Sequence, residues 1–163
     1  MESFVAALGA SGYLYAEATE TQKVADFCGS IRRTFEFLDG VPRLIVPDNL
    51  KSAIIKFRTD DTPILNDSFR DLADHYNVGV LPARPKKPRD KAKAESSVSI
   101  LQRSVMGALR NVVFRSLAEL NAVIVEQIRE LNQAPFQNCD TTRQRMFEAL
   151  DRPVTASITP GGL

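Results

Sequence analysis

The sequence predicts an α/β protein, a sheet carrying helices on both faces. Three observations support this. Strand-like and helix-like segments follow one another in the order β-β-α-β-α-β-α-α-α, alternating through the middle of the chain. The run Pro42 to Pro47 is bounded by prolines, too short for a helix, and centred on Leu-Ile-Val, the pattern of a buried strand in a parallel arrangement. The longer segments place apolar residues at spacings of three and four, as one buried helical face requires.

Phe4–Leu8 and Tyr13–Ala18 are apolar runs around the turn signal Gly9-Ala-Ser-Gly12, which predicts a β-hairpin. Thr19 and Gln22 have the spacing of a capping box, so a helix is expected next, with Val24, Phe27, Cys28, Ile31, Phe35 and Leu38 on one face and Asp39-Gly40 as its stop. After the Pro42–Pro47 strand, Asp48 reads either as a ligand at a strand end, where α/β sheets gather chemistry, or as the N-cap of a short helix through Ile54. Lys56 to Leu65 reads as a loop. Asn66 to Tyr76 reads as a helix burying Phe69, Leu72, Ala73 and Tyr76, and Asn77 to Ala83 as a second short strand. A long helix from Asp90 to Asn111 is expected to bury Ala94, Val98, Leu101, Val105 and Ala108, with Glu95 and Gln102 flanking that stripe. Ser116 to Glu119 is another capping box, opening a helix to Asn132 with Leu117, Leu120, Val123, Ile124, Ile128 and Leu131 periodic. Thr141 is read as the cap of a short helix to Leu150, and the Pro- and Gly-bearing tail from Pro153 as poorly ordered.

Composition narrows the function classes. The chain has 163 residues, 44% hydrophobic and 25% charged, the size and balance of one soluble domain. No apolar run approaches the ~20 residues of a membrane span. The start, M-E-S-F-V-A-A-L, lacks the basic flank of a signal peptide, so a cytoplasmic protein with no membrane partner is expected. Cys28 and Cys139 have no His or Cys neighbours at ligand spacing and read as reduced thiols. His75, the single histidine, reads as structural, which argues against triad chemistry.

The stretch Leu81 to Arg103 carries the candidate chemistry. Between Arg84 and Lys93 there are six Lys or Arg against one Asp, in a chain whose net charge is only +1. The positive charge is thus local, as on a surface that meets phosphates. Arg84, Lys86, Lys87, Arg89, Lys91, Lys93 and Arg103 are the candidate phosphate-contacting residues. Glu95 follows the basic run, and a carboxylate there can hold a divalent cation beside bound phosphate. A solvated linker, with Glu95 answering a helix dipole, is the plainer reading of the same residues.

The segments V-P-R-L-I-V-P-D-N-L-K-S and L-P-A-R-P-K-K-P-R-D-K-A-K-A-E resemble the catalytic core of bacterial insertion-sequence transposases, the two-gene kind that works with an AAA+ ATPase helper. G-A-S-G-Y-L-Y-A-E-A-T, S-L-A-E-L-N and the Arg143–Glu148 motif resemble the same group, and the similarity runs from Phe4 to about Pro153. Retroviral integrases share this core. The resemblance implies a ribonuclease H-like fold with a mixed sheet, and an Asp-Asp-Glu set binding two Mg²⁺ (or Mn²⁺) about 4 Å apart. Carried over by position, the second Asp is Asp48 and the Glu is Glu95, both as catalytic and metal residues. The family's first Asp lies on a strand preceding the hairpin. Its absence implies a truncated core with the first strand missing, weak metal binding and little activity alone. Residues 1–112 are then the core, 113–150 a helical extension and 151–163 a flexible tail. The function implied is a fragment of a transposase or integrase core, whose full-length relatives cleave and transfer DNA strands. The alternatives are a catalytically inactive module that binds DNA or pairs with a transposase, or a different ribonuclease H-like nuclease. The implied partners are transposon-end and target DNA, the ATPase helper, and a second copy of the chain. Without the first strand, the sheet edges should carry unpaired backbone groups, so a homodimer joined there or through the helices after Ser116 is expected.

Overall fold

The chain begins with a tight hairpin, and the rest of its first unit is built against one strand of it. The structure, a computed structural model, describes residues 1–47, 54–59, 63–81 and 96–158. In chain order the elements are β1 (Glu2–Ala7), β2 (Leu14–Thr19), α1 (Val24–Leu38), β3 (Leu44–Ile45), β4 (Ile54–Phe57), β5 (Pro63–Leu65), α2 (Asp67–His75), β6 (Gly79–Val80), α3 (96–109), α4 (Leu117–Gln133) and α5 (Arg143–Met146). They divide into two compact units: Met1–Thr21 with Lys87–Pro153, and Gln22–Lys86 with Val154–Leu163. The described strands pair as three two-stranded sheets, β1 with β2 and β4 with β5 antiparallel, β3 with β6 parallel.

In the first unit β1 and β2 run in continuous register, Glu2 opposite Thr19 and Ala7 opposite Leu14. The turn is set by Gly12 at φ 69°, a conformation an L side chain resists. Ser11 fixes it twice: its Oγ accepts from the Tyr13 amide at 3.0 Å, and its own amide donates to Asp151 Oδ2 at 3.0 Å. All six residues of β2 are buried.

The outer edge of β2 is closed by a helix, through side-chain amides. The Leu14 amide donates to Asn132 Oδ1 at 3.0 Å, and Asn132 Nδ2 donates to the Leu14 carbonyl at 2.8 Å. Asn121 repeats the pattern on Ala18, at 2.7 Å and 2.9 Å. Eleven residues at ~1.5 Å each separate the two asparagines by about 16 Å along α4 and return them to nearly the same face. The four residues from Leu14 to Ala18 span about 13 Å of strand. The helix therefore runs antiparallel to β2, with both amides in reach of its edge. Leu120, Ile124 and Ile128 form the buried face beside them. The α4 cap forms as predicted, Ser116 Oγ accepting from the Glu119 amide at 3.1 Å. The Glu119 carboxylate reaches back to the Arg115 amide at 2.8 Å, one residue beyond the N-cap amide of the ideal box.

Local details of this unit depart from the sequence expectations. The Thr19 side chain belongs to β2 and donates to the Thr21 carbonyl at 3.0 Å, so it does not cap α1; Lys23 takes the cap position without a side-chain capping bond. In α3, Gln102–Met106 widens into a π-helix, which inserts an extra residue per turn. Ser97, Leu101 and Val105 are buried, whereas Val98 and Ala108 are exposed. Of the short helix expected from Thr141, the cap is instead Thr142, accepting from the Arg145 amide at 3.1 Å. The helix runs on through a π turn at Phe147–Asp151, which brings Phe147 onto Tyr13 in a stack with centroids 4.5 Å apart.

In the second unit α1 buries Cys28, Ile31, Phe35 and Leu38 as predicted, and ends with Asp39 in the left-handed conformation, the Gly40 amide donating to the Phe35 carbonyl. Burial pushes the Cys28 thiol up, against the opposing pull of Arg32, as an inert cysteine requires. The α2 helix packs on α1 with Phe69, Leu72 and Ala73 buried. Phe27 meets Phe69 and Phe35 meets Tyr76 edge-on at 5.4 Å and 5.0 Å. The segment read as a loop holds β4 and β5, and Ile54 is in β4, not at the end of a short helix. From the tail, Ala156 pairs with Val41 in an isolated antiparallel bridge.

Two outcomes follow. Asn132→Ala leaves the buried Leu14 amide and carbonyl without partners and is expected to cost about 3 kcal/mol in urea unfolding, with Asn121→Ala, at a half-buried site, costing about 1 kcal/mol. Tyr13 is held above its ordinary pKa chiefly by burial, with Glu148 adding to the rise and Arg129 and Arg152 opposing it. The unfolded chain releases this proton near pH 10 and the folded chain only above that, so alkali favours unfolding. Stability should fall above pH ~10, and Tyr13→Phe should flatten that fall in denaturation curves taken across the alkaline range.

Candidate functional site

The best-defined feature near the candidate residues is the β3–β6 ladder. Leu44 pairs with Gly79 and Ile45 with Val80, in parallel. The Gly79 amide donates to the Arg43 carbonyl and the Leu81 amide to the Ile45 carbonyl, both at 2.9 Å. Gly79 leaves room for the exposed Leu44 side chain: a Cβ there would lie 2.7 Å from Leu44 Cδ2, which would have to turn aside, and at an ordinary 3.4 Å from the Arg43 carbonyl oxygen. Because the strands are parallel, both leave the ladder at the same end. Beyond β3 the chain continues through Val46 and Pro47 into Asp48. Beyond β6 it continues through Leu81 toward Arg84 and the basic run. The described parts of both strands thus end on the same side of the ladder, the side where α/β sheets place their ligands.

Asp48, Glu95, Arg84, Lys86, Lys87, Arg89, Lys91 and Lys93 lie outside the described residues, as does Ala94. Arg103 is described. It sits exposed on the π segment of α3, its Nη2 donating to Ser99 Oγ at 3.0 Å and its Nε to the Ser99 carbonyl at 3.4 Å. Those bonds turn the guanidinium along its own helix. Among the described residues no three His, Cys, Asp or Glu side chains come together as a metal site. His75 lies exposed in the last turn of α2, its ring edge-on to Tyr76 at 4.8 Å.

Some polar residues were missed by sequence reasoning. Glu17 is 3% exposed and accepts a hydrogen bond from the Tyr15 hydroxyl at 2.7 Å. The two are neighbours on one face of β2 by strand alternation, which is the signal the sequence offered. Asn121 and Asn132 lie three turns apart beside an apolar stripe, but their backbone partners are more than a hundred residues away, so no signal in the sequence marks their role. Arg143 stacks over the Phe136 ring at 4.7 Å, and burial lowers its pKa.

Comparison with known proteins gives this geometry a family context. No family model matches the chain. The Burkholderia multivorans protein named "Putative transposase for insertion sequence IS408" is 48% identical over 151 residues, covering 93% of this chain and 29% of that protein. The transposase for insertion sequence element IS21 of Pseudomonas aeruginosa is 28% identical over 124 residues, covering 76% of this chain and 31% of the relative. The chain therefore spans about a third or less of these relatives. Among solved structures, the catalytic core domain of BIV integrase superposes with a TM-score of 0.68 at 12% identity, over 93% of this chain and 88% of that one. The HTLV-2 integrase catalytic core domain in complex with magnesium, in a trimeric form, gives 0.60 at 16% identity, over 83% and 77%. Nearly the whole chain is thus similar to a segment of insertion-sequence transposases, and its fold is the ribonuclease H-like fold of integrase catalytic cores.

Proposed function

We propose that this chain supplies the catalytic-core segment of an insertion-sequence transposase, acting on DNA in the cytoplasm with a divalent metal. The observation that carries the reading is the parallel β3–β6 ladder, which sends the chain toward Asp48 and toward the basic run from one end. Asp48 and Glu95 are the metal-holding and catalytic carboxylates in this reading, and Mg²⁺ or Mn²⁺ is the ion. Carboxylates suit such hard cations, and the ion supplies charge stabilisation at a phosphate under attack. The magnesium in the HTLV-2 integrase core supports this choice of ion.

Arg84, Lys86, Lys87, Arg89, Lys91, Lys93 and Arg103 contact the DNA backbone. Such contacts hold the duplex in place and carry no sequence information. In this division residues 1–112 form the core, 113–150 a helical extension and 151–163 the tail. Self-association and an AAA+ ATPase helper complete the set of partners. No described helix is long and apolar enough to cross a membrane.

Two experiments test the reading. Replacing Lys86, Lys87 and Lys91 with Ala should weaken binding to all duplex sequences alike and reduce the salt slope by about 3. Unchanged affinity and slope would remove the basic run from the DNA surface. Glu95→Gln should weaken Mn²⁺ binding in calorimetric titration while leaving the thermal unfolding midpoint in place. A variant that loses stability with its metal response intact would make Glu95 a structural residue.

A further inference from the structure

The loop between α4 and α5 closes on itself and presents one arginine. The Phe136 amide donates to the Thr141 carbonyl at 3.0 Å, and the Cys139 amide to the Phe136 carbonyl at 3.2 Å. Pro135 and Thr142 face each other in an antiparallel bridge, and Asn138 makes the turn at φ 62°. This closure brings Phe136 back to the start of α5, where Arg143 Cζ lies over its ring, 4.7 Å from the centroid. Arg143 is half-buried, and burial lowers its pKa with no carboxylate acting against that. Among the described residues its guanidinium has no hydrogen-bond or ion-pair partner. The acids around it are engaged elsewhere. Glu148 accepts from Gln144 at 3.3 Å, Asp151 accepts from the Ser11 amide at 3.0 Å, and Asp140 meets Arg145 through its carbonyl at 3.3 Å. A guanidinium drawn partly out of water needs acceptors, and a ring face satisfies none of its N–H donors.

We propose that Arg143, held on the Phe136 ring, is a binding site for a phosphate of the DNA backbone, in addition to the basic run from Arg84 to Lys93. The stack fixes the plane of the guanidinium, so less side-chain freedom is lost when a ligand binds. Its donors then form a preset fork, which matches two oxygens of one phosphate. A carboxylate has the same two oxygens, and the second arginine decides between them. Arg145 is exposed on the same short helix, and its one bond is the contact with the Asp140 carbonyl. Two cations thus flank one loop. A phosphodiester chain brings successive anions and can serve both, whereas a lone carboxylate serves one. A contact of this kind places the duplex without reading its sequence. The inference rests on the DNA-binding reading above and gives it a contact point among the described residues.

The salt dependence of duplex binding by the full chain tests this. Arg143→Gln should weaken binding to all duplexes alike, roughly tenfold, and reduce the salt slope by about 1, with a cooperative thermal transition retained. Arg143→Lys keeps the charge but loses the fork and the stack, so affinity should fall while the slope stays. On the parent protein, the Arg143 Nε–H resonance, assigned by its loss in Arg143→Lys, should shift as duplex is added. That shift decides the matter if Arg143→Gln fails to fold. Duplex binding that responds to alanine at Lys86, Lys87 and Lys91 but not to Arg143→Gln overturns the inference and leaves the DNA reading standing. An Arg143→Gln variant that loses only thermal stability makes the stack a structural contact and overturns it too. A resonance that moves with polyglutamate and not with duplex makes the partner an acidic protein segment, again against the inference. A chain that binds no duplex at all overturns both readings.

Discussion

The first unit depends on two asparagines acting as a strand. An edge of buried backbone must find partners, since each unsatisfied group there costs about 1–3 kcal/mol. Asn132 and Asn121 each present a carbonyl oxygen and an amide nitrogen in the arrangement a neighbouring strand would offer, and each engages both groups of one β2 residue. Because α4 satisfies the edge this way, β2 can be buried along its whole length. The helix is placed by those contacts as much as by its apolar face. The register of β1 with β2 then fixes which backbone groups of β1 face away from the ladder.

The second unit rests on a different constraint. The β3–β6 ladder is only two residues long on each strand, yet being parallel it sends both strands out at one end. Gly79 eases the approach by leaving room for the Leu44 side chain. The chemistry proposed for the chain follows from what comes next in sequence: an Asp after one strand and a dense basic run after the other. The likeness to integrase cores at identities of 12% and 16% fits a fold maintained by strand order while its side chains change.

The regular helices were legible because their burial follows the 3.6-residue period: Cys28, Ile31, Phe35 and Leu38 in α1, Leu120, Ile124 and Ile128 in α4. The Ser116 cap was legible because it is local. Thr19 was misread because a strand claimed the residue that capping rules assign to a helix. Ala108 was misread because a π insertion ahead of it moves the face, and no periodic template contains it; at Val98, before the insertion, the neighbouring Ser97 is the buried residue instead. The β4–β5 hairpin was hidden by Thr59, Asp60, Asp61 and Thr62, which read as loop, although Ile54, Ile55 and Phe57 are strand formers. As for the site, Asp48, Glu95 and the basic run came from sequence motifs, and strand order adds only that two of those segments leave one ladder at a common end. The asparagine clamp is a tertiary partnership between positions more than a hundred residues apart, which no local rule reads.

Native-state amide exchange at Leu14 and Ala18 tests this account most directly, with Ser3 and Ala7 in dilute solution as internal comparators. If the α4 amides close the edge, Leu14 and Ala18 exchange only when the unit unfolds, at the free energy of its most protected core amides. If they exchange as readily as Ser3 and Ala7, the edge is open and the asparagines do not hold it.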